Sequence, residues 1–554
     1  MNSIDIYCVN TGTKKTYPLG VTLMEIKDDF DVKLKNPIIG ALVNNKVKEL
    51  SFVFVKTKKV QFIDYSNSDG MRLYVRSLFF ILYVAVREVF PQVKLKMMHG
   101  ISRGYYCELT GLERPITESD IFAIKKEMKK IVAKDIPFRK VGLPNEEVVE
   151  ICRQQNLIYK AKLFQQQGAL FSYLYFMGEH ANYFYGYQLP STGYLKVFDL
   201  IPYYDGLLLQ IPKLSNFNEV QPCVKLDKLF GIFQEHKDWA EILTIPNVAN
   251  LNEKTLDGLS GDIIKISEAL HEKKVAEIAN QINDRRNEIK IVLIAGPSSS
   301  GKTTFSKRLM VQLAVNGLRP FLISLDDYFI DRENTPKDEN GEYDFEAIEA
   351  IDVKYFNEQL NQLLDGVSVE LPRFDFTLGI RVASGKLLQL EPGNILVVEG
   401  IHGMNPNLVP HIPMENTFKI FLSALTQISI DDQNHISTTD NRLLRRMIRD
   451  SKYRNYSASD TIRRWPSVRA GEDKNIFPFQ ENADVMFNSA LVYELAVLKK
   501  YAEPLLKSVP ESQPEYSETS RLLKFLSYFK PIDDQEIPPT SVLREFLGGS
   551  SFKY

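Results

Sequence analysis

One stretch, Gly296-Pro297-Ser298-Ser299-Ser300-Gly301-Lys302-Thr303-Thr304, constrains this chain more than any other. Two glycines separated by four residues, then Lys and Thr, fit a phosphate-binding loop. Such a loop needs a strand before it and a helix after it. Ile289–Ala295 (IKIVLIA) has the pattern of a buried strand, and Phe305–Asn316 that of a helix. The glycines let the backbone curl so that its N–H groups point at phosphate oxygens, and the helix start adds the positive end of its dipole. Gly296, Ser298, Ser299, Ser300, Gly301, Lys302, Thr303 and Thr304 are therefore the expected ATP-binding residues. Lys302 has the reach for the β and γ phosphates, and the Thr303 hydroxyl can ligate Mg2+. A plain Gly/Ser turn is the competing reading, and Lys-Thr at the helix start argues against it.

With 554 residues the chain is too long for one core, and three or more domains are expected. Apolar residues at 44% and charged residues at 25% describe ordinary soluble globular protein. A net charge of -2 gives no support to a nucleic-acid partner, though it leaves room for a local basic patch. Cys8, Cys107, Cys152 and Cys223 are widely spaced and form no CxxC pair, which suits reduced thiols in a cytoplasmic protein. The N-terminus MNSIDIYCVN lacks the basic and apolar regions of a secretory signal. The longest strongly apolar run, Ser77–Val86, is about half what a spanning helix needs, so no membrane partner is expected.

The chain divides by pattern. Residues 1–62 alternate short β-type runs with turns around one helical stretch, Leu23–Phe30, as a small β-grasp module does. Residues 63–230 mix helix and strand in an α+β domain, with helices at Tyr74–Phe90 and Asp120–Ala133. Residues 231–288 form a helical connector in which Leu256–Arg286 has helical periodicity. From 289 to 505 the strands IKIVLIA, FLISL, ILVVEG, FKIFLS and ADVMFNS alternate with helices, which predicts an α/β parallel sheet with helices on both faces. The tail, 506–554, holds a helix near Thr519–Phe529, a Pro-rich spacer, and a short helix with Leu543 and Phe546 that docks back on the body.

Three further signals carry chemistry. Asp326 follows the second strand, at the carboxyl edge where ligands of open parallel sheets sit, and can accept a proton from an attacking hydroxyl. A turn or helix cap is the equal alternative. Glu399 ends the apolar strand ILVVE, a Walker-B-like position able to hold Mg2+ directly or through water. Arg442, Arg445, Arg446 and Arg449 recur at spacings of three and four, with Arg454 just beyond. A salt-bridged solvent face is the bland reading. A phosphate lid is favoured in a phosphoryl-transfer enzyme, where guanidinium groups neutralise charge on the transferring phosphoryl.

Taken in order, these features resemble the uridine kinase and phosphoribulokinase group of P-loop kinases. The resemblance is carried by GPSSSGKTT, Asp326 with its aromatic pair, Tyr343-Asp344-Phe345-Glu346, Pro372-Arg373-Phe374-Asp375-Phe376, Val398-Glu399-Gly400-Ile401 and the RRMIRD helix. It implies a phosphotransferase in which Asp326 is the base for a nucleoside 5'-hydroxyl and Glu346 holds the ribose. It further implies that Phe374 and Phe376 enclose the base, and that Glu399 and Thr303 hold Mg2+. Lys302, Arg446 and Arg449 would be catalytic, with Arg454 contacting phosphate. The chain departs from the pyrimidine-specific members at Gly379, where they carry His, at Phe374 in place of Tyr, and at Glu346 in place of Asp, which leaves the base open.

Residues 1–62 also resemble the TGS domain of threonyl-tRNA synthetases, and residues 68–212 resemble the editing-type domain that follows it there. The second likeness rests on RSLFFILYVAVREVFP, Gly104-Tyr105-Tyr106 and LPSTG. That domain's HxxxH is Arg76 and Phe80 here, and its Cys and His are Phe184 and Gln188, so metal ligands are absent at these positions. The combination resembles bacterial multidomain nucleoside kinases. It implies a cytoplasmic enzyme of pyrimidine salvage that phosphorylates uridine or cytidine with ATP and Mg2+, and it leaves a homo-oligomer open. The alternatives are an RNA-binding regulatory ATPase that uses the TGS-like half, and a kinase of another small alcohol.

Overall fold

The computed structural model describes residues 3–214, 216–338 and 341–553. It opens with β1 (Ser3–Cys8), β2 (Thr13–Pro18), α1 (Leu23–Ile26), β3 (Gly40–Val43), β4 (Lys46–Glu49) and β5 (Lys58–Ile63). They form a mixed sheet of order β2-β1-β5-β3-β4, in which β1 and β5 run parallel, over a small core of Ile6, Leu23, Phe54 and Phe62. This is the β-grasp module. Its helix is shorter than the expected Leu23–Phe30. A capping box between Thr22 and Glu25 starts it, but Asp28 and Asp29 follow at once, and Asp competes with helix through local hydrogen bonds.

The α+β region is built around α2 (Ser68–Val89), which is buried along most of its length. It begins six residues before Tyr74 because the Asn67 side chain accepts the Asp69 N–H and caps it there. Then follow β6 (Lys94–Ile101), β7 (Gly104–Thr110), α3 (Glu118–Ala133), β8 (Arg139–Pro144), α4 (Asn145–Gln154) and α5 (Ile158–Gln167). β9 (Phe171–Met177), β10 (His180–Asn182), β11 (Asp199–Tyr203) and β12 (Gly206–Gln210) complete the region. They make two antiparallel sheets, β11-β12-β7-β6 and β10-β9-β8. Next come α6 (Asp227–Leu243), α7 (Val248–Leu256) and α8 (Ser260–Asp284). The helix expected over 256–286 starts instead at Ser260, because Gly258, at φ 78°, ends α7 with a left-handed turn.

The second half contains β13 (Ile291–Ala295), α9 (Lys302–Val315), β14 (Arg319–Ser324), α10 (Val353–Leu364), a hairpin of β15 (Val369–Asp375) and β16 (Ile380–Leu388), β17 (Asn394–Glu399) and β18 (Thr417–Ser423). It closes with α11 (Thr438–Tyr453), α12 (Ala458–Asn475), β19 (Val485–Asn488), α13 (Glu494–Lys507), α14 (Tyr516–Leu526) and α15 (Arg544–Leu547). The main sheet has the order β14-β17-β13-β18-β19 and every pairing in it is parallel. Strand alternation assigns its two faces. Val292, Ile294, Val397 and Ile420 pack against Val275 and Ile278 of α8 and Phe305 and Leu309 of α9. Leu293, Leu396, Val398 and Phe421 pack on the other side with Phe356 and Leu360 of α10. Both faces are covered, which is why the strands read as continuous apolar runs.

The two halves share one continuous core. The segment after β18 enters the cleft of the α+β region. There Asn434 donates to the Tyr183 carbonyl (3.1 Å) and accepts from the Tyr185 N–H (3.3 Å). Lys160 pairs with Asp431 at 3.0 Å, both buried. The positions that lack metal ligands meet nearby. The Phe80 and Phe184 rings lie 5.4 Å apart, Ser77 Oγ donates to Gln188 Oε1 (2.7 Å), and the Arg76 guanidinium lies over the Tyr185 ring. Among the described residues no helix is long and apolar enough to cross a membrane.

Candidate active site

The phosphate loop occupies the turn from β13 into α9. Helix geometry starts at Lys302, three residues before the apolar periodicity does, because the loop itself delivers the first turn. Ser299 (φ 61°) and Gly301 (φ 85°) are both left-handed, which curls the backbone around its own N–H groups. Lys302 Nζ donates to the carbonyls of Gly296 (2.9 Å) and Pro297 (3.3 Å). The buried Ser299 and Ser300 hydroxyls have no hydrogen-bond partner among the described residues.

Two neighbouring strands, β14 and β17, bring acids and a hydroxyl to this loop. Glu399, at the end of β17, is buried, and its Oε1 accepts from Thr303 Oγ1 and from Ser324 Oγ, each at 3.3 Å. Burial, then the negative charge of Asp326, lifts its carboxyl to about 7, with Lys302 pulling the other way. Asp326 follows β14 in a tight turn and is exposed. Its charge is felt by Glu399 and by Arg454, so these groups face a common space. Across the cleft Glu346 is half-buried, and burial pushes it up to about 7 against the pull of Arg446. Gly471 makes that position available: a Cβ there would stand 2.5 Å from Glu346 Cβ.

The two phenylalanines differ. Phe374 is 5% exposed and packs inward beside Phe329, while Phe376 is 54% exposed and meets Phe374 edge-on at 5.1 Å. The Phe374 N–H donates to Asp327 (3.2 Å), tying the β15–β16 hairpin to the turn that carries Asp326. Gly379 sits at φ 74°, and a Cβ there would press on the Arg332 side chain at 2.9 Å. The Arg332 N–H bonds the Gly379 carbonyl (2.8 Å). A larger side chain is excluded at this position by backbone and packing alike.

The arginines of α11 divide into two sets. Arg442 and Arg445 are fully buried and engaged, with Glu472 (2.6 Å) and Glu494 (2.5 Å). Arg446, Arg449 and Arg454 gather around one acid, Asp450, at 3.3, 2.8 and 3.8 Å, and leave a local excess of positive charge. Arg446 also donates to Ser298 Oγ of the loop (2.9 Å). Residues that the sequence patterns did not single out complete the site. Glu472 accepts the Ser298 N–H (2.9 Å), Ser324 buttresses Glu399, and Glu545 of α15 accepts from Thr304. Glu472 and Glu545 lie in no spacing motif and are delivered by tertiary packing of distant segments, whereas Ser324 ends the strand that precedes Asp326.

The cleft thus brings together a lysine, paired loop hydroxyls, two carboxylates near neutrality, a free-standing aspartate and three arginines, a set suited to phosphoryl transfer. Residues 291–496 match the model of the Phosphoribulokinase / Uridine kinase family. The N-terminal region is similar to threonine–tRNA ligases. The ligase of Desulforamulus reducens is 30% identical over 192 residues, 34% of this chain and 30% of the ligase. That of Caldanaerobacter subterraneus subsp. tengcongensis is 29% identical over 198 residues, 35% of this chain and 30% of the ligase. The chain spans about 30% of the length of these relatives. Among solved structures, a possible uridine kinase from Bacillus stearothermophilus is 18% identical, with a TM-score of 0.25, covering 38% of this chain and 100% of that one. A D-glycerate 3-kinase from Cryptococcus neoformans is 14% identical, with a TM-score of 0.20, covering 46% and 87%. Residues 291–496 therefore form a P-loop kinase domain of the phosphoribulokinase and uridine kinase family, joined to an N-terminal region similar to part of the threonine–tRNA ligases.

Proposed function

We propose that this chain transfers the γ-phosphoryl group of ATP to the 5'-hydroxyl of a nucleoside, with uridine or cytidine as the favoured acceptor. The observation that carries the reading is the convergence of Asp326, Glu346 and Arg446 on the cleft that holds the phosphate loop. A nucleotide switch needs no acceptor acids there. Residues present fit both ligands. The loop's curled N–H groups and unpartnered serine hydroxyls suit phosphate oxygens, and Thr303, Ser324 and Glu399 bring three oxygen-bearing side chains together for Mg2+.

In this reading Lys302 exchanges the Gly296 and Pro297 carbonyls for phosphate oxygens. Glu346 orients the ribose, and Phe376 offers an exposed ring face to the base. Asp326 accepts the proton of the 5'-hydroxyl as that oxygen bonds to phosphorus and the bond to the leaving ADP oxygen breaks. Arg446, Arg449 and Arg454 neutralise the charge spread over the equatorial oxygens. Mg2+ held by Thr303 and Glu399 would screen the phosphates and steady the leaving group. Closing arginines exclude water and so limit hydrolysis.

The test is ADP release with Mg-ATP against uridine, cytidine, adenosine, guanosine, inosine, ribulose 5-phosphate and no acceptor. Strong stimulation by uridine or cytidine, lost in Lys302→Ala and Asp326→Ala while the latter still binds ATP, is expected. Hydrolysis that ignores every acceptor but responds to tRNA would overturn the reading.

A further inference from the structure

The C-terminal strap lies on the phosphate loop itself. Phe305 is the first residue of α9 whose N–H finds a backbone carbonyl, that of Gly301 (3.0 Å). The N–H groups of Lys302, Thr303 and Thr304 therefore precede the helical ladder and are the donors a helix start offers to an anion. One of them is occupied by the chain's own acid. Glu545 Oε2 accepts the Thr304 N–H at 3.2 Å and the Thr304 hydroxyl at 2.8 Å. Val542 packs so close to Gly301 that a Cβ on the glycine would collide with its Cγ1. Phe546 lies beneath the guanidinium of Arg445, which in turn reaches the Ser299 carbonyl.

The strap is anchored on both sides of this contact. Ser541 Oγ donates to Glu268 of α8 (2.5 Å), Lys452 of α11 donates to the Leu547 carbonyl (2.5 Å), and Lys307 of α9 donates to the Lys553 carbonyl. It reaches the loop through a Pro-rich spacer with Pro531, Pro538 and Pro539. Val542, Leu543 and Phe546 are buried, whereas Glu545 is half-buried and points its carboxylate at the helix start. A carboxylate and a phosphate are both anionic and want the same donors, so they exclude each other at this position.

We propose that residues 541–547 are a built-in competitor for the nucleotide: Glu545 fills a phosphate-binding position at Thr304, and ATP binds only when the strap lifts. This rests on the nucleotide-binding reading of the same loop. The apparent dissociation constant for ATP is then the intrinsic one divided by the fraction of molecules with the strap open. A strap that is closed nine-tenths of the time weakens binding about tenfold.

The experiment uses the full chain and a fluorescent ATP analogue with Mg2+, without acceptor. Glu545→Ala keeps the buried anchors Val542, Leu543 and Phe546 and is expected to bind about tenfold more tightly than the parent. Glu545→Gln, which keeps the volume and loses the charge, is expected to move the same way by less. In parallel, hydrogen exchange over 541–547 is expected to speed up when a non-hydrolysable ATP analogue is added. Lys302→Ala separates the two ideas. If it abolishes binding while Glu545→Ala binds equally or more weakly than the parent, the competitor is overturned and the phosphate loop stands. If binding survives Lys302→Ala, the loop reading falls and the competitor with it. Exchange over 541–547 that stays constant or slows on nucleotide addition also overturns the proposal.

Discussion

Replacing Glu472 with Gln is expected to be among the most damaging single-atom-scale changes in the kinase half, and the structure sets its size. Four donors surround this carboxylate, which is itself fully buried. Arg442 Nη1 and the Ser298 N–H reach Oε1 at 2.8 and 2.9 Å, and Arg442 Nη2 and Arg469 Nη1 reach Oε2 at 2.6 and 2.8 Å. A glutamine amide must set its NH2 against two of them in either orientation, because every partner is a donor. Arg442 is 1% exposed and has no route to water. Burial already pulls its guanidinium down to about 10, with Glu472 as the main opposing influence. Removing one partner of such a pair costs about 3–5 kcal/mol. The assay is favourable because the chain has only two tryptophans, and Trp465 lies 5.3 Å from the Arg442 guanidinium. In a Trp239→Phe background, Trp465 fluorescence reports urea unfolding from beside the Arg442–Glu472 pair. Glu472→Gln should lower the midpoint at unchanged slope by the equivalent of about 3–5 kcal/mol. The double variant Arg442→Met/Glu472→Met leaves no buried unpaired charge at the pair and should be more stable than Glu472→Gln, remaining below the parent by about 1–3 kcal/mol for the stranded Ser298 N–H. A loss under about 1 kcal/mol for the single variant would refute the claim that this pair holds the loop.

Three further outcomes are expected. Glu399 is raised to about 7 from the ordinary 4.5, so the native state holds its proton more tightly than the unfolded chain. That stability is complete below 4.5 and is lost as pH rises through 7. In the absence of Mg2+, Glu399→Gln should therefore flatten the decline between pH 5 and 8 and exceed the parent at pH 8 by up to about 3 kcal/mol, and parallel melting curves across pH would contradict this. Gly471→Ala places a methyl 2.5 Å from Glu346 Cβ, so the KM for the acceptor should rise several-fold while ATP binding stays constant, as separate titrations would show. Chelating Mg2+ should abolish turnover, and Thr303→Ala should raise the half-activating Mg2+ concentration about tenfold; an unchanged Mg2+ titration would remove Thr303 from the metal site.

Much of the fold was legible because its signals are local. The five strands of the parallel sheet are apolar runs bounded by turns, and GPSSSGKTT announces both the strand before it and the helix after it. The nearness of Lys302, Thr303 and Glu399 was legible, because a glycine-rich turn and a neighbouring apolar strand that ends in an acid place them about one loop. The site was illegible where packing decides. A three-and-four repeat places Arg442 and Arg446 on adjoining faces, but it cannot say that Arg442 turns inward to Glu472 while Arg446 turns to the loop. Phe374 and Phe376 look equivalent in PRFDF, two apart and so on one strand face, but β15 ends at Asp375, which leaves Phe376 in the exposed turn while Phe374 packs inward. Glu545 lies over two hundred residues from Thr304 and belongs to no motif, so its contact is visible only in three dimensions.

The same distinction bears on the N-terminal half. Metal ligands are absent at the positions where the resembled domain carries them, and the space between those positions is not left open. Here Phe80 and Phe184 close its floor with apolar contact, Gln188 is spent on Ser77, and Arg76 stacks on Tyr185. The remaining space receives Asp431 to His435 from the kinase half, whose imidazole lies edge-on to Phe79 and Tyr105. Burial pushes His435 down to about 4, so it is neutral at physiological pH and fits an apolar slot without a counter-charge. The segment that plugs this cleft leads directly into α11, whose C-terminal half carries Arg446 and Arg449 and ends just before Arg454. The half that resembles a synthetase is in this way packed into the same buried core as the helix that carries these arginines.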